Sequence, residues 1–310
     1  MIFEQGIMNN VAVLMSSYNG ALYIAEQIDS IFAQDGVEVR LIVRDDGSSD
    51  DTAAIVLDKK NSSYPRIDLV KGENLGPCRS FLELLYSYQP MKSHEYVAFS
   101  DQDDIWDSDK LSSAISRLEE LHVPALYYSA LKKIDFSNGI SELVRSEHQL
   151  DFEESLIKSV FPGCTMVLNA EAVALIKRLD KPRNAIMHDW FVYQVLSGSG
   201  SRICYDETPH IRYRIHGDNY SVMKSGFSGR VQHVVNVLKQ QKGKRYAAVK
   251  ELYSAHAQFA TRASTETLRL YASYRETLAL RLRVVVSLNK THLSIAEKVK
   301  YSISVLIGFF

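Results

Sequence analysis

The chain has 310 residues, 46% of them hydrophobic and 24% charged, with a formal net charge of −1. That balance supports a sizeable buried core and excludes disordered, collagen-like and disulfide-scaffold classes. The near-neutral total hides a division: residues 1–222 carry 21 Lys and Arg against 33 Asp and Glu, whereas residues 223–310 carry 15 against 4.

Residues 1–10 hold Glu4 and no basic cluster ahead of an apolar stretch, so no secretory signal is expected there. Residues 11–15 are a continuous apolar run, which predicts a buried strand ending in the polar loop 16–20. Tyr23, Gln27 and Ile31, with Ile24, Ile28 and Phe32, fall at helical spacing, and Asp35-Gly36 stops them. A second strand over 39–43 runs into the loop 44–52. There Ser49 has N-cap chemistry and Asp50 and Asp51 suit a first turn, so a helix is expected from that point to Lys60. Strand 67–70, loop 72–77, a helix over 80–88 and strand 96–100 follow. Further strands are expected over 125–130, 163–169 and 201–205, with helices over 108–122, 170–179 and 187–197. Strands alternating with helices imply right-handed βαβ units, an α/β fold with a mostly parallel sheet covered on both faces. Cys78, Cys164 and Cys204 make no CxxC pair, which points to a reducing cytosol.

Beyond Ser228 the periodicity changes. Tyr271, Tyr274, Leu278, Leu282 and Val285 recur every three or four residues among arginines, which predicts a basic amphipathic helix. The charge shift sets a boundary near residue 222. Three readings of the tail stay open: an anionic membrane surface, a contact between copies in a homo-oligomer, or a helical subdomain packed on the rest. No nucleic-acid partner is expected, because no recognised module or sustained basic-aromatic pattern appears. The most apolar run, residues 301–310, is about half the length of a spanning helix.

Open parallel sheets bind ligands at the carboxyl ends of their strands. Three polar loops, 16–20, 45–51 and 101–104, sit at such ends, although each alone also reads as a solvated, helix-capping loop. Asp101, Asp103 and Asp104 place three carboxylates within four residues, where they repel one another without a counter-ion. Mg2+ or Mn2+ typically takes one or two such carboxylates and leaves other positions to water and phosphate oxygens. No GxxxxGK[ST] or GxGxxG loop is present, so neither a P-loop nor a dinucleotide-binding domain accounts for a phosphate ligand.

The motifs Ser17-Tyr18-Asn19, Asp45-Asp46-Gly47-Ser48-Ser49-Asp50, Asn74-Leu75-Gly76 with Arg79, and Ser100-Asp101-Gln102-Asp103-Asp104-Ile105-Trp106 come in a familiar order. Gly163, His188-Asp189-Trp190 and Tyr213-Arg214-Ile215-His216 with Asn219 continue it. Over about residues 10–222 the chain resembles the inverting glycosyltransferases of family 2 with the GT-A fold. The phrase at 100–106, with His188-Asp189-Trp190, is most similar to bacterial rhamnosyltransferase-type members.

The resemblance implies a Rossmann-like GT-A catalytic domain over 1–222 and a basic helical C-terminal region over 223–310. It implies inverting, metal-dependent transfer from a nucleotide-sugar donor, dTDP-L-rhamnose, with UDP- or GDP-sugars as alternatives. The acceptor would be a saccharide on a polyprenyl lipid, in surface-polysaccharide or O-antigen synthesis at the inner face of the cell membrane. Tyr18, Asn19 and Asp45, with Ser17 and Asp46, would form the nucleotide-base subsite, and Arg79 would approach the nucleotide or its diphosphate. Asp101 and Asp103 match the DxD element, Asp103 as direct ligand of Mg2+ or Mn2+ and Asp101 nearer the ribose, with Gln102 on the donor side. His216 would lie near metal and diphosphate, Gly163 would shape the acceptor side, and Asp189 would be the catalytic base.

The residues alone leave plainer readings. Asp189 also reads as a helix opener, His216 as a packed histidine, Trp106 as packing under the metal loop or stacking on an acceptor, and Cys164 as a small buried filler. A sugar-phosphate nucleotidyltransferase would show a Gly-rich loop after the first strand, which Tyr18-Asn19-Gly20 is not. A receiver-like module would leave residues 150–222 unexplained.

Overall fold

The structure, a computed structural model, describes residues 8–92, 95–145, 149–159, 162–216 and 243–309. Its strands are β1 (Asn9–Ser17), β2 (Val37–Asp45), β3 (Ile67–Lys71), β4 (Tyr96–Ser100), β5 (Ile105–Trp106), β6 (Ala125–Ser129), β7 (Leu131–Asp135), β8 (Ile140–Val144), β9 (Val167–Leu168), β10 (Arg202–Asp206) and β11 (Ile211–Arg214). Its helices, numbered along the described residues, are α1 (Ile24–Phe32), α2 (Thr52–Ser62), α3 (Pro77–Ser87), α4 (Lys110–Leu118), α5 (Phe152–Ile157), α6 (Ala170–Lys177), α7 (His188–Gly198), α8 (Lys244–His256), α9 (Arg262–Ser273), α10 (Leu278–Leu288) and α11 (Ile295–Leu306).

The main sheet has seven strands in the order β10-β6-β9-β4-β1-β2-β3, parallel except for β9. β1 is apolar on both faces because both are covered. Val11, Val13 and Met15 join one buried cluster with Ile24, Ile28 and Ile31 of α1, while Ala12 and Leu14 join another with Phe81 of α3 and Val192 of α7. Pairing sets Ser17 beside Asp45 and Met15 beside Ser100, so the carboxyl ends of β1, β2 and β4 lie on the same edge of the sheet, with β4 ending two residues earlier. A second sheet, β5-β11-β7-β8, begins one residue beyond β6, where Ala130 alone separates the two strands.

Local starts differ from expectation for identifiable reasons. α2 begins at Thr52, not at Ser49, because the Ser49 N–H donates to Asn19 Oδ1 at 2.9 Å, while Asp50 accepts from the Thr52 N–H at 3.0 Å. α3 starts earlier than expected, with Pro77 in its first turn, where a missing N–H costs nothing. Only Val167–Leu168 of the expected strand 163–169 is strand, since Gly163–Thr165 forms a 3-10 turn.

The expected single amphipathic stretch after residue 228 is, among the described residues, four helices, and the boundary near 222 and Asn219 lie outside those residues. Tyr271 and Tyr274 are fully buried, in the same apolar cluster as Leu156, Phe191 and Leu196. Polar contacts reinforce the packing: Glu153 of α5 accepts from Tyr271 Oη at 2.9 Å and Ser287 Oγ at 2.8 Å, and Glu154 accepts from the His292 N–H at 2.6 Å. The helices α8–α11 therefore pack against α5 and α7.

Candidate active site

These strand ends and the second sheet enclose a cavity of about 820 Å3 lined by residues that include Ser16, Tyr18, Asp46, Asp101, Gln102, Asp103, Gly163, His188 and Asp189. Leu131 and Lys133 of β7, Val144 of β8 and Tyr213 of β11 line it from the second sheet. Of the sequence-predicted residues, Ser17, Asn19, Asp45, Arg79 and His216 do not line it.

The loop after β1 is held by the loop after β4. The Tyr18 N–H donates to Gln102 Oε1 at 2.9 Å, and Gln102 Nε2 donates back to the Tyr18 carbonyl at 3.1 Å. A Cβ at Gly20 would stand 2.2 Å from Gln102 Oε1, so a side chain there would push Gln102 out of its clamp on Tyr18. Asn19 is the non-glycine residue with positive φ, at 48°, a conformation asparagine tolerates, and its N–H donates to Ser48 Oγ at 3.0 Å. Asp45 is buried and accepts from the Ser48 hydroxyl and N–H, while Ser17, also buried, lies beside it.

Asp46 is held differently. It pairs with the Arg44 guanidinium and accepts from the backbone N–H groups of Leu75 at 3.0 Å and Gly76 at 2.8 Å, both side chains of the pair being nearly inaccessible to solvent. Its carboxylate thus fastens the 74–76 loop to β2. Asp46→Ala removes one partner of a buried ion pair, which costs roughly 3–5 kcal/mol. Thermal unfolding of the variant is expected to show that loss, and an unchanged Tm would remove this role. Arg79 is exposed in the first turn of α3.

The acidic loop after β4 carries the strongest electrostatics. Burial, then the charges of Asp103 and Asp189, push the Asp101 carboxyl up to about 7. Asp104 is fully buried and pushed well above the carboxylate range, again by burial first, and its Oδ2 has no hydrogen-bond partner among the described residues. Asp103 Oδ2 lies 2.8 Å from His216 Nε2, and the His216 ring rests on Tyr23 with centroids 4.7 Å apart. Hard oxygen donors and an imidazole, gathered where like charges repel, fit Mg2+ or Mn2+. Asp103 and His216 are in contact and Asp101 lines the same cavity as Asp103, but the potential ligand atoms that the described structure groups are those of Asp101, Asp104 and Cys164, not the expected set of Asp101, Asp103 and His216.

Beneath this loop Cys164 is buried, as its reading as a small filler expected, whereas Lys110 went unread in the sequence. Ligand atoms of Asp101, Asp104 and Cys164 lie within 4.8 Å of one another, and burial keeps the Cys164 thiol protonated. Lys110 Nζ is wholly buried 3.8 Å over the Trp106 ring, and burial brings its pKa down to about 7. The available signal was position: Lys110 continues the apolar face of Leu111, Ala114, Ile115 and Leu118. Trp106 packs under the acidic loop and does not line the cavity.

Asp189 stands in the first turn of α7, where the helix dipole favours a carboxylate. It accepts from the Gly163 N–H at 3.0 Å and the Trp190 N–H at 2.6 Å, yet burial, the larger effect, raises its pKa to about 6. It is therefore ionised, and able to take a proton, at neutral pH. Its neighbour His188 stacks on Phe81 with centroids 4.0 Å apart, and burial lowers its pKa to about 3, so its ring is neutral. Neither His188 nitrogen has a hydrogen-bond partner among the described residues. A Cβ at Gly163 would come within 2.6 Å of His188 Nε2 and 3.2 Å of Asp189 Cβ, so a side chain there would displace the histidine ring or the acid. The arrangement places one buried carboxylate, Asp189, in the lining of the same cavity as Asp101 and Asp103 of the acidic loop.

The family model Glycosyl transferase family 2 matches residues 12–174. A dTDP-rhamnosyl transferase of Shigella flexneri is 31% identical over 216 residues, 66% of this chain and 72% of that protein. A UDP-Glc:alpha-D-GlcNAc-diphosphoundecaprenol beta-1,3-glucosyltransferase of Escherichia coli is 32% identical over 158 residues, 51% of this chain and 59% of that protein. Among solved structures, S. aureus TarS 1-349 in complex with UDP-GlcNAc superposes with a TM-score of 0.52 at 17% identity, covering 97% of this chain and 91% of that one. A mannosyltransferase from Pyrobaculum calidifontis in complex with GDP-Man and Mn2+ gives 0.51 at 18% identity, covering 98% and 86%. The solved structures share the fold.

Proposed function

Because the chain belongs to glycosyl transferase family 2, we propose that it moves L-rhamnose from dTDP-L-rhamnose, with inversion, to a hydroxyl of a saccharide acceptor. The observation that carries this reading is the cavity that gathers Asp101, Asp103 and Asp189 at the carboxyl ends of parallel strands. The similarity to the Shigella flexneri dTDP-rhamnosyl transferase supports the donor.

In such a transfer the acceptor oxygen forms the new bond to the anomeric carbon as the bond to the nucleoside diphosphate breaks, and the leaving oxygen keeps the electron pair. Asp189 takes the acceptor proton. Charge building on the departing diphosphate is what Mg2+ or Mn2+ held by Asp101, Asp103 and His216 would neutralise. Tyr18, Asn19 and Asp45, with Ser17 beside them, define the base subsite, which Gln102 and Asp46 hold in shape, and Arg79 serves the nucleotide side from α3. Gly163 and the second-sheet wall of Leu131, Lys133 and Tyr213 face the acceptor. We assign residues 1–222 to catalysis and 223–310 to a basic helical region. The acceptor is placed on a polyprenyl lipid in surface-polysaccharide synthesis, with the chain at the inner face of the cell membrane, a reading that the diphosphoundecaprenol named for the Escherichia coli relative supports.

That relative also favours a second reading, a UDP-sugar donor. A panel of nucleotide-sugars with purified chain and Mn2+, scored by nucleoside diphosphate released through slow hydrolysis, separates the two. The expected result is turnover of dTDP-L-rhamnose well above the UDP- and GDP-sugars. Preference for a UDP-sugar would replace the rhamnosyl assignment, and release from none would count against donor binding here.

A further inference from the structure

Outward positions on helices packed against a domain normally carry polar side chains. On α10 and α11 they do not. Leu278, Leu282 and Val286, at i, i+4 and i+8, and Ile295, Val299 and Ile303 at the same spacing are each between 50% and 83% exposed. Both helices already bury their other faces, through Val284 and Leu288 of α10 and Tyr301 and Val305 of α11. The two helices pack on each other, and Arg281 Nη1 donates to the Leu306 carbonyl at 2.8 Å. Isolated apolar side chains on a surface need no explanation, but six on adjoining helices form a patch.

The charges around this patch are predominantly positive, with Glu276 exposed just before α10. Residues 277–309 contain Arg281, Arg283, Lys290, Lys298 and Lys300, and a single carboxylate, Glu297. Glu297 is turned to the body of the protein, paired with Lys158 at 2.8 Å and closing the N-terminal cap of α11 at Ser294. Arg283, Lys290 and Lys300 are exposed. α11 spans 12 residues, and no helix among the described residues is long and apolar enough to cross a membrane.

We infer that the joined outer faces of α10 and α11 form a docking surface for an anionic phospholipid leaflet, with the apolar stripes entering the headgroup boundary and the cations meeting lipid phosphates. This refines the membrane placement proposed above and rests on it. The stripe foreseen from the sequence included Tyr271 and Tyr274, which the structure buries; the face that remains exposed is built from different residues. A hydrophobic face with a predominantly cationic border is complementary to a negatively charged bilayer surface.

Co-sedimentation of the full chain with phosphatidylglycerol-containing vesicles and with pure phosphatidylcholine vesicles, across a salt series, tests this. The wild type is expected to prefer the anionic vesicles and to lose that preference as salt screens it over roughly 8–10 Å. Each basic residue near the leaflet is worth roughly a factor of five. Arg283→Glu with Lys300→Glu should therefore weaken anionic binding at least about tenfold at low salt. Leu282→Asn with Ile303→Asn, both on exposed positions, should weaken it about tenfold at every salt concentration. Circular dichroism melting and light-scattering mass accompany each variant. If the wild type binds no vesicle, the membrane placement itself falls, and this surface with it. If the wild type binds and both folded variants bind equally well, the placement survives and α10–α11 are not the surface. If the variants change the mass in solution but not vesicle binding, the face is a contact between copies, and the inference is overturned.

Discussion

Asp189→Asn is expected to lower glycosyl transfer by roughly 10²–10⁴-fold, because the amide keeps the size and polarity of the carboxylate but accepts no proton. The change should fall on turnover. Donor affinity, read by titration with nucleotide, should stay within a few-fold, since the hydrogen bonds of Asp189 are to the Gly163 and Trp190 N–H groups and not to the Tyr18–Gln102 clamp. The pH profile provides a separate check. Burial raises the Asp189 pKa to about 6, and the ionised form is the base, so transfer by the wild type should fall as pH drops through about 6. A variant that loses nucleotide binding but keeps turnover at saturation would move Asp189 to the donor side.

The second large effect is expected at Asp103. Asp103→Asn removes a charge from the acidic loop and weakens the contact with His216, 2.8 Å away. Turnover should fall by roughly 10²-fold or more, the loss typical of deleting one electrostatic stabiliser. Calorimetric titration gives a readout that does not depend on turnover: the gain in nucleotide affinity on adding Mn2+ should disappear, while metal-free binding persists. Activity above about a tenth of wild type, with Mn2+ dependence intact, would assign the cation to other residues.

The parallel half of the fold was open to reading because β1 and β4 are covered on both faces and therefore appear as unbroken apolar runs. Their polar ends gave the site's position. The second sheet was not legible: β8 is almost wholly exposed and β7 carries Lys132 and Lys133, so neither shows the alternation of a half-buried strand. That sheet supplies a wall of the cavity, so that wall was the less visible part of the site. Spacing alone found a stripe around Tyr271 but not its direction, because periodicity records that a helix has an apolar face and not whether the domain or a second surface covers it. Lys110 shows the same limit. A lysine on an apolar helix face ordinarily extends its ammonium to solvent, and only the tertiary position of Trp106 and Asp104 makes a buried one tolerable.

The stitches between α5 and the last helices bear on how the chain is made. Glu153 and Glu154 find partners 118 to 138 residues later in the sequence, and the apolar cluster that contains Phe191 and Val192 of α7 runs on to Val305. Contacts so distant along the chain form slowly and late, since a long loop must close before any of them is made. During synthesis one flank of α7 stays uncovered until α8 has emerged, whose Arg245 stands over the Trp190 ring and whose Val249 and Leu252 share the cluster with Phe191. By charge those last helices are an appendage; in the order of assembly they complete the support of the helix bearing the proposed base.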